Sequence, residues 1–221
     1  MKIYSVTRTK RKTISIRIND KAQIMVIVPL NASMADIKKT VNRHKKWVER
    51  KRGEILARDP KFQQKRFEAG EGFLYLGRSY KLRIADDSEE PLILRGEFIL
   101  SSSHVKRART VFLDWYKSAA NRKISERASL ISEYTGLKYS KIKITSAERT
   151  WGSCSKGGNI NFSWRLILAP ISVIDYVILH ELTHTVIRNH SEKFWSKVAA
   201  CMPDYAIRDK WLKENEYLIR I

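Results

Sequence analysis

Two cysteines, Cys154 and Cys201, are all that this chain of 221 residues contains. That is too few for a disulfide framework, and a reducing, cytoplasmic location is the expectation. Long apolar runs are missing as well. The longest, Ile24 to Leu30, is far too short to span a bilayer. The opening stretch, MKIYSVTRTKRKTISIRIND, lacks the apolar core of a secretory signal. There is no internal repeat, no low-complexity tract and no glycine-rich phosphate loop. Disulfide-stapled, membrane-spanning and collagen-like classes are excluded. A hydrophobic content of 43% suits a globular chain with one large domain or two small ones.

Acidic residues are scarce. Asp and Glu number 23 against 43 Lys and Arg, which leaves a formal charge of +20. The excess is spread along the chain, net +11 over residues 1–100 and +9 over residues 101–221. A field of this sign attracts polyanions such as nucleic acid, nucleotides or acidic peptides, but it does not choose among them.

Hydrophobic periodicity places the elements. Ile14, Ile16 and Ile18 alternate with polar residues, a strand period. Gln23 to Pro29 is an apolar, β-branched run, and Asn31 to Ser33 offers a helix cap. Residues 34–58 have helical spacing, with apolar positions at Met34, Ile37, Val41, Trp47 or Val48, and Ile55. The other side of that helix carries Lys38, Lys39, Arg43, His44, Lys45, Lys46, Arg50, Lys51 and Arg52. It reads as a solvated face or as a surface for nucleic acid. Residues 73–84, bent at Gly77-Arg78, and 92–100 read as strands separated by a turn at Asp86 to Pro91. A long amphipathic helix follows over about 104–134, then strands at 141–146 and 160–168. The expected class is α+β. A β-rich N-terminal domain with one basic helix covers 1–103, and an α+β domain bearing the chemistry covers 104–221.

The chemistry concentrates in His180-Glu181-Leu182-Thr183-His184, with His190 six residues further on. Four residues advance an α-helix by about 400°, so His180 and His184 lie one above the other on a single face. Two imidazoles one turn apart can share one metal ion. Glu181, about 100° away, is close enough to take a proton from water activated by that ion without being a ligand. A third ligand leaves one position of a tetrahedral zinc open. His190 is the candidate, with Glu192 or a more distant acid as the alternative. A straight helix would carry His190 about 240° away from His184, so the chain must turn between them. Asn189 in a left-handed conformation and Ser191 as the next cap would supply that turn.

Upstream, Asn159 to Leu168 alternates cleanly and reads as one strand whose edge could pair with an extended peptide. The polar, glycine-bearing stretch Arg149 to Ser155 reads as a loop near the site. Arg149, Trp151, Asn161 and Arg165 are the candidate substrate contacts. Cys154 is set aside as a nucleophile because a metal hydrolase needs none. Phe194 and Trp195 read as packing residues of the next helix.

These residues resemble a known family. W-G-S-C-S at 151–155, the N-I-N-x-x-W-R-L stretch at 159–166 and the segment 168–195 around H-E-L-x-H and N-H-S-x-x-F-W resemble the YgjP-like predicted metal-dependent hydrolases, relatives of the SprT-like and WLM zinc peptidases. F-L-Y-L-G-R-S-Y-K-L at 73–82 resembles the family's N-terminal part. The resemblance implies a zincin-like catalytic half. It implies metal ligation, by zinc or another divalent ion, at His180, His184 and His190, and the base role at Glu181. Metzincins carry Gly three residues after the second His; Ile187 stands there, so the turn must be built differently.

Three functions compete at this level. The first is a zinc hydrolase acting on peptides or proteins. The second is a metal-dependent nucleoside triphosphate hydrolase in which Arg149 and Arg165 bind phosphate. The third is a nucleic-acid-binding protein whose metal is structural and closed by a fourth protein ligand. None of the three requires a membrane.

Overall fold

The structure is a computed structural model, and it describes residues 3–19, 22–56, 65–86 and 88–215. The described residues form three sheets and six α-helices, a mixed α+β architecture. The chain divides into two compact units, residues 1–63 and 64–221.

In the first unit β1 (Ile3–Thr9), β2 (Ser15–Ile18) and β3 (Ile24–Pro29) form a sheet in the order β1-β3-β2. β3 is central, parallel to β1 and antiparallel to β2. Its alternation puts Ile24, Val26 and Val28 on one face, essentially without exposure. Against them pack Ile37, Val41 and Val48 from α1 (Met34–Arg43) and α2 (Lys45–Leu56). Ser33 caps α1, its Oγ accepting from the Asp36 N–H at 3.1 Å. One long helix is expected here, and the structure interrupts it at His44. Met34, expected on the apolar side, is exposed; of Trp47 and Val48, Val48 takes the buried position and Trp47 is exposed. The Ile55 side chain, residues 57–58 and Asp87 lie outside the described part of the chain.

The second unit opens with β4 (Gly72–Tyr75), β5 (Arg78–Ala85), β6 (Leu92–Leu94) and β7 (Phe98–Ser101), in the order β4-β5-β7-β6. A 3₁₀ turn over Ser102–Arg107 leads into α3 (Ala108–Thr135). Then come β8 (Lys141–Thr145), β9 (Gly152–Cys154), β10 (Asn159–Ser163), a 3₁₀ segment Trp164–Leu168, α4 (Ile171–Thr183), α5 (Glu192–Cys201) and α6 (Tyr205–Asn215). No helix among the described residues is long and apolar enough to cross a membrane.

The division expected near Ser101 is not where the packing divides. Strands β4 to β7 share one core with α3 and α4. The Phe73 and Phe112 rings stack at 4.2 Å, and the Tyr116 hydroxyl on α3 donates to the Leu74 carbonyl at 2.7 Å. The β4–β5 turn is fastened to the 3₁₀ segment before α4: Leu76 N–H and Gly77 N–H donate to the Ile167 and Leu168 carbonyls. Gly77 has φ +78°, and a Cβ there would lie 2.8 Å from Pro170 Cγ, so no other residue fits without displacement. The serine run at 101–103 has the composition of a linker, yet Ser101 is buried.

A second expectation also changes. The alternation of 159–168 holds as a strand only to Ser163. Trp164, Leu166, Ile167 and Leu168 are all buried in a 3₁₀ segment, which removes the polar face. β10 is the middle strand of the order β8-β10-β9, so both of its edges are paired. The edges of that sheet belong to β8 and β9.

Candidate metal centre

α4 is apolar on nearly every side, and its buried residues run from Val173 to Thr183. A helix hydrophobic all round must lie inside the protein. Its outward anchor is Asp175, which takes a bidentate pair from Arg127 on α3, with Nε to Oδ1 at 2.7 Å and Nη2 to Oδ2 at 2.6 Å. The same helix therefore carries His180 and Glu181 into a largely dry environment. Burial pushes the Glu181 carboxyl up to about 7. Burial, and then the neighbouring His184 and His190, bring His180 down to about 4.

α4 stops at Thr183, one residue before the second histidine. Thr183 Oγ1 donates to the Leu179 carbonyl, and Thr185 Oγ1 donates to the Leu182 carbonyl. Tight backbone bonds from Thr185, Val186 and Ile187 fold the chain back. The turn thus begins at His184 and not at Asn189. Positive φ outside glycine is confined, among the described residues, to Ala22, Phe67 and Leu76, so Asn189 is not left-handed. The backbone N–H groups of His184 to Ile187 satisfy the helix-end carbonyls of His180, Leu182 and Thr183, and the Thr185 hydroxyl adds a bond to Leu182, so no left-handed residue is needed. Ser191 does occupy the cap position of α5, without a side-chain capping bond.

The turn brings three imidazoles together. His190 Nε2 lies 2.9 Å from His180 Nε2 and 3.1 Å from His184 Nε2. His184 Nδ1 lies 3.0 Å from the Ile187 carbonyl. A carbonyl only accepts, so Nδ1 carries the proton and Nε2 of His184 is a bare donor atom. Burial lowers the His184 pKa, opposed by that carbonyl bond. Three ring nitrogens facing one another cannot satisfy each other with one shared proton apiece. Ligand atoms of all three lie within 4.8 Å of one another, and no cysteine or carboxylate joins the group among the described residues. Three neutral imidazoles fit a borderline divalent cation such as zinc, with a position left over.

Phe194, fully buried on α5, packs against all three rings at 4.5 to 4.9 Å between centroids. Trp195 stacks on His190 at 5.6 Å, and Tyr205 stacks on Trp195 at 5.3 Å. Both α5 residues are packing residues, as the sequence suggests, and what they pack is the histidine cluster.

Glu181 faces β9. A Cβ added to Gly152 would lie 2.6 Å from Glu181 Oε1 and Cγ. The glycine of W-G-S-C-S is there for space and not for backbone freedom. Arg188, in the turn between the histidines, donates to the carbonyls of Ser155 at 2.7 Å and Lys156 at 2.9 Å. It ties the turn that carries His190 to the β9–β10 connection. Cys154 lies beside that guanidinium, and burial raises its thiol pKa. Sequence reasoning passes over both Gly152 and Arg188. Their signals are position alone: Gly152 stands inside the W-G-S-C-S motif, and Arg188 stands between two candidate ligands.

The expected substrate contacts are placed differently from one another. Arg149 is exposed in the bend before β9. Trp151 is half-buried against the core, and its carbonyl accepts from Ser163 N–H. Asn161 Nδ2 donates across to Ser153 Oγ at 3.3 Å. Arg165 holds the 146–148 segment through the Ser146 carbonyl and Glu148, and its guanidinium lies over Trp164.

A family model described as YgjP-like, metallopeptidase domain, matches residues 12–215. The chain belongs to the YgjP-like family. The match begins inside the first unit, so the basic helices are part of the YgjP-like domain. Membership supports a metallopeptidase-type hydrolase and implies a divalent metal. No curated protein matches the chain. Among solved structures it is similar to the metallopeptidase zymogen abylysin of Pyrococcus abyssi, at 19% identity over 41% of this chain and 93% of that one, TM-score 0.37. It is also similar to Wss1 of Saccharomyces cerevisiae, at 20% identity over 41% and 77%, TM-score 0.34.

Proposed function

We propose that this YgjP-like protein is a zinc-dependent peptidase in which His180, His184 and His190 hold the ion and Glu181 moves the proton. The observation that carries the reading is the convergence of three ring nitrogens beside a buried carboxyl kept clear by Gly152. A divalent ion at such a site supplies Lewis acidity, polarising a carbonyl oxygen and lowering the pKa of water. The remaining work belongs to the chain. The Glu181 carboxylate takes the proton of the attacking water and delivers it to the departing amine nitrogen. Phe194 and Trp195 hold the imidazoles in place and exclude water from their flanks. The Ile187 carbonyl fixes the His184 tautomer. The β9 edge, next to Glu181, offers an extended peptide the backbone partners that β10 lacks.

The nucleotide alternative has less to stand on. Arg165 is engaged with the 146–148 segment, and the sequence lacks a glycine-rich phosphate loop. A closed structural zinc would need a fourth protein ligand, and the cluster contains three among the described residues. The test is cleavage of an unfolded, labelled casein by metal-loaded protein. Glu181→Gln is expected to keep the metal and lose about 10² to 10⁴ in rate. Undiminished hydrolysis in that variant would contradict the mechanism. Hydrolysis of nucleoside triphosphates without any peptide cleavage would favour the alternative.

A further inference from the structure

The metal site leaves the first unit's charge without a use. We infer that the outer face of α1 and α2 binds single-stranded nucleic acid, through a stripe of cations flanked by Trp47. His44, with φ −97° and ψ 19°, separates the two helices; its N–H donates to the Thr40 carbonyl at 3.3 Å, and its carbonyl accepts from Val48 N–H at 2.9 Å. Val48 is buried in the same cluster as Ile37 and Val41, so the two helices share one buried side and one projection orders both. At 100° per residue, the buried line is Ile37, Val41 and Val48. Lys39, Arg43, Lys46 and Arg50 recur at i, i+4, i+7 and i+11. All four fall within about 40° of the direction opposite that line, and all are exposed. They span about 16 Å of helix axis. Of the three acids in this stretch, Asp36 accepts from Ser33 at the helix start, Glu49 pairs with Lys45 on the flank at 3.8 Å, and Glu54 stands four residues beyond the last cation of the row. No carboxylate falls within the stripe itself.

Such a row of like charges destabilises a helix slightly. A phosphodiester backbone matches it, through counterion release. Trp47 flanks the row between Arg43 and Arg50, and it is 38% exposed. An indole on a charged face gives an unpaired base a platform for stacking. In a duplex the base faces are covered, so an indole there finds nothing to stack on. An anionic membrane is the poorer partner, because an amphipathic helix enters a bilayer by its apolar face, and the apolar line Ile37, Val41 and Val48 is already buried.

The experiment is fluorescence anisotropy of the full chain with labelled dT20, with a duplex of equal length, and with vesicles of phosphatidylserine and phosphatidylcholine as a separate arm. Tight binding to dT20 with a linear dependence on log salt is expected. Joint replacement Lys39→Gln and Lys46→Gln reduces the salt slope by about 1.4, near 0.7 for each phosphate no longer neutralised. Lys39→Arg with Lys46→Arg keeps the wild-type slope. Trp47→Ala weakens dT20 roughly 5- to 150-fold and leaves the slope unchanged. An unchanged slope in the double glutamine variant overturns the proposal. So does wild-type affinity in Trp47→Ala, equal or tighter binding of the duplex, or binding to vesicles alone. The inference stands apart from the peptidase reading. Glu181→Gln and chelated protein should bind dT20 like the loaded wild type, so failure of hydrolysis leaves this test intact.

Discussion

α4 and the α1–α2 pair treat ionisable side chains in opposite ways. Among the described side chains of α1–α2, Ile37, Val41 and Val48 are the buried ones, and Lys38, Lys39, Arg43, Lys45 and Lys46 are exposed. On α4 almost every residue from Val173 onward is buried, and the ionisable groups are carried inside with the rest. Taking a charge out of water disfavours its charged form. Glu181 is therefore pushed up and His180 pushed down, both chiefly by burial. The contrast separates two kinds of function. Exposed charge attracts a partner at long range, whereas buried polar groups are poised for proton transfer and metal binding.

Substitutions on the two helix systems should differ accordingly. The largest effect on stability is expected at the one feature they share, the buried apolar line. Ile37→Ala should cost about 2–5 kcal/mol in a denaturant melt of the first unit and leave the metal stoichiometry alone. Loss of metal in that variant would break the comparison. Gly152→Ala should reduce casein cleavage by about 10²-fold, because the new methyl displaces the Glu181 carboxylate. Metal content, measured by mass spectrometry, should not change. A normal rate there would remove Gly152 from the positioning of Glu181. Arg127→Ala should destabilise the second unit by about 1.5–3 kcal/mol, since Asp175 loses a bidentate partner. Thermal melts of the chelated protein isolate that effect from the metal. Lys45→Gln on α2 should change stability by less than about 0.5 kcal/mol.

Much of this is legible in the sequence, and the failures have physical causes. The spacing of His180 and His184 defines a face because helix geometry is local. The need for a turn before His190 follows from the same geometry, but its chemistry does not. The chain leaves the helix through the backbone bonds of Thr185, Val186 and Ile187 to Leu182 and Thr183, with the Thr185 hydroxyl also on Leu182, and a hydroxyl in a helical pattern does not declare which carbonyl it will take. The strand expected over 159–168 fails beyond Ser163 because alternation of Trp164, Leu166 and Leu168 looks the same whether the intervening residues face solvent or core. Ile167 faces the core. The domain division fails because Ser101 to Ser103 has the composition of a linker, while burial of Ser101 depends on strands distant in sequence. Gly152 cannot be assigned at all from sequence. Its role is a steric approach to Glu181, 29 positions away.

The central claim is that three histidines hold one divalent ion, and X-ray absorption of the zinc-loaded protein tests it most directly. The account predicts one zinc per chain, with imidazole scattering from three histidines at about 2.0–2.1 Å that falls to two in His190→Ala. A sulfur shell at about 2.3 Å, or a spectrum that His190→Ala leaves unaltered, would contradict it.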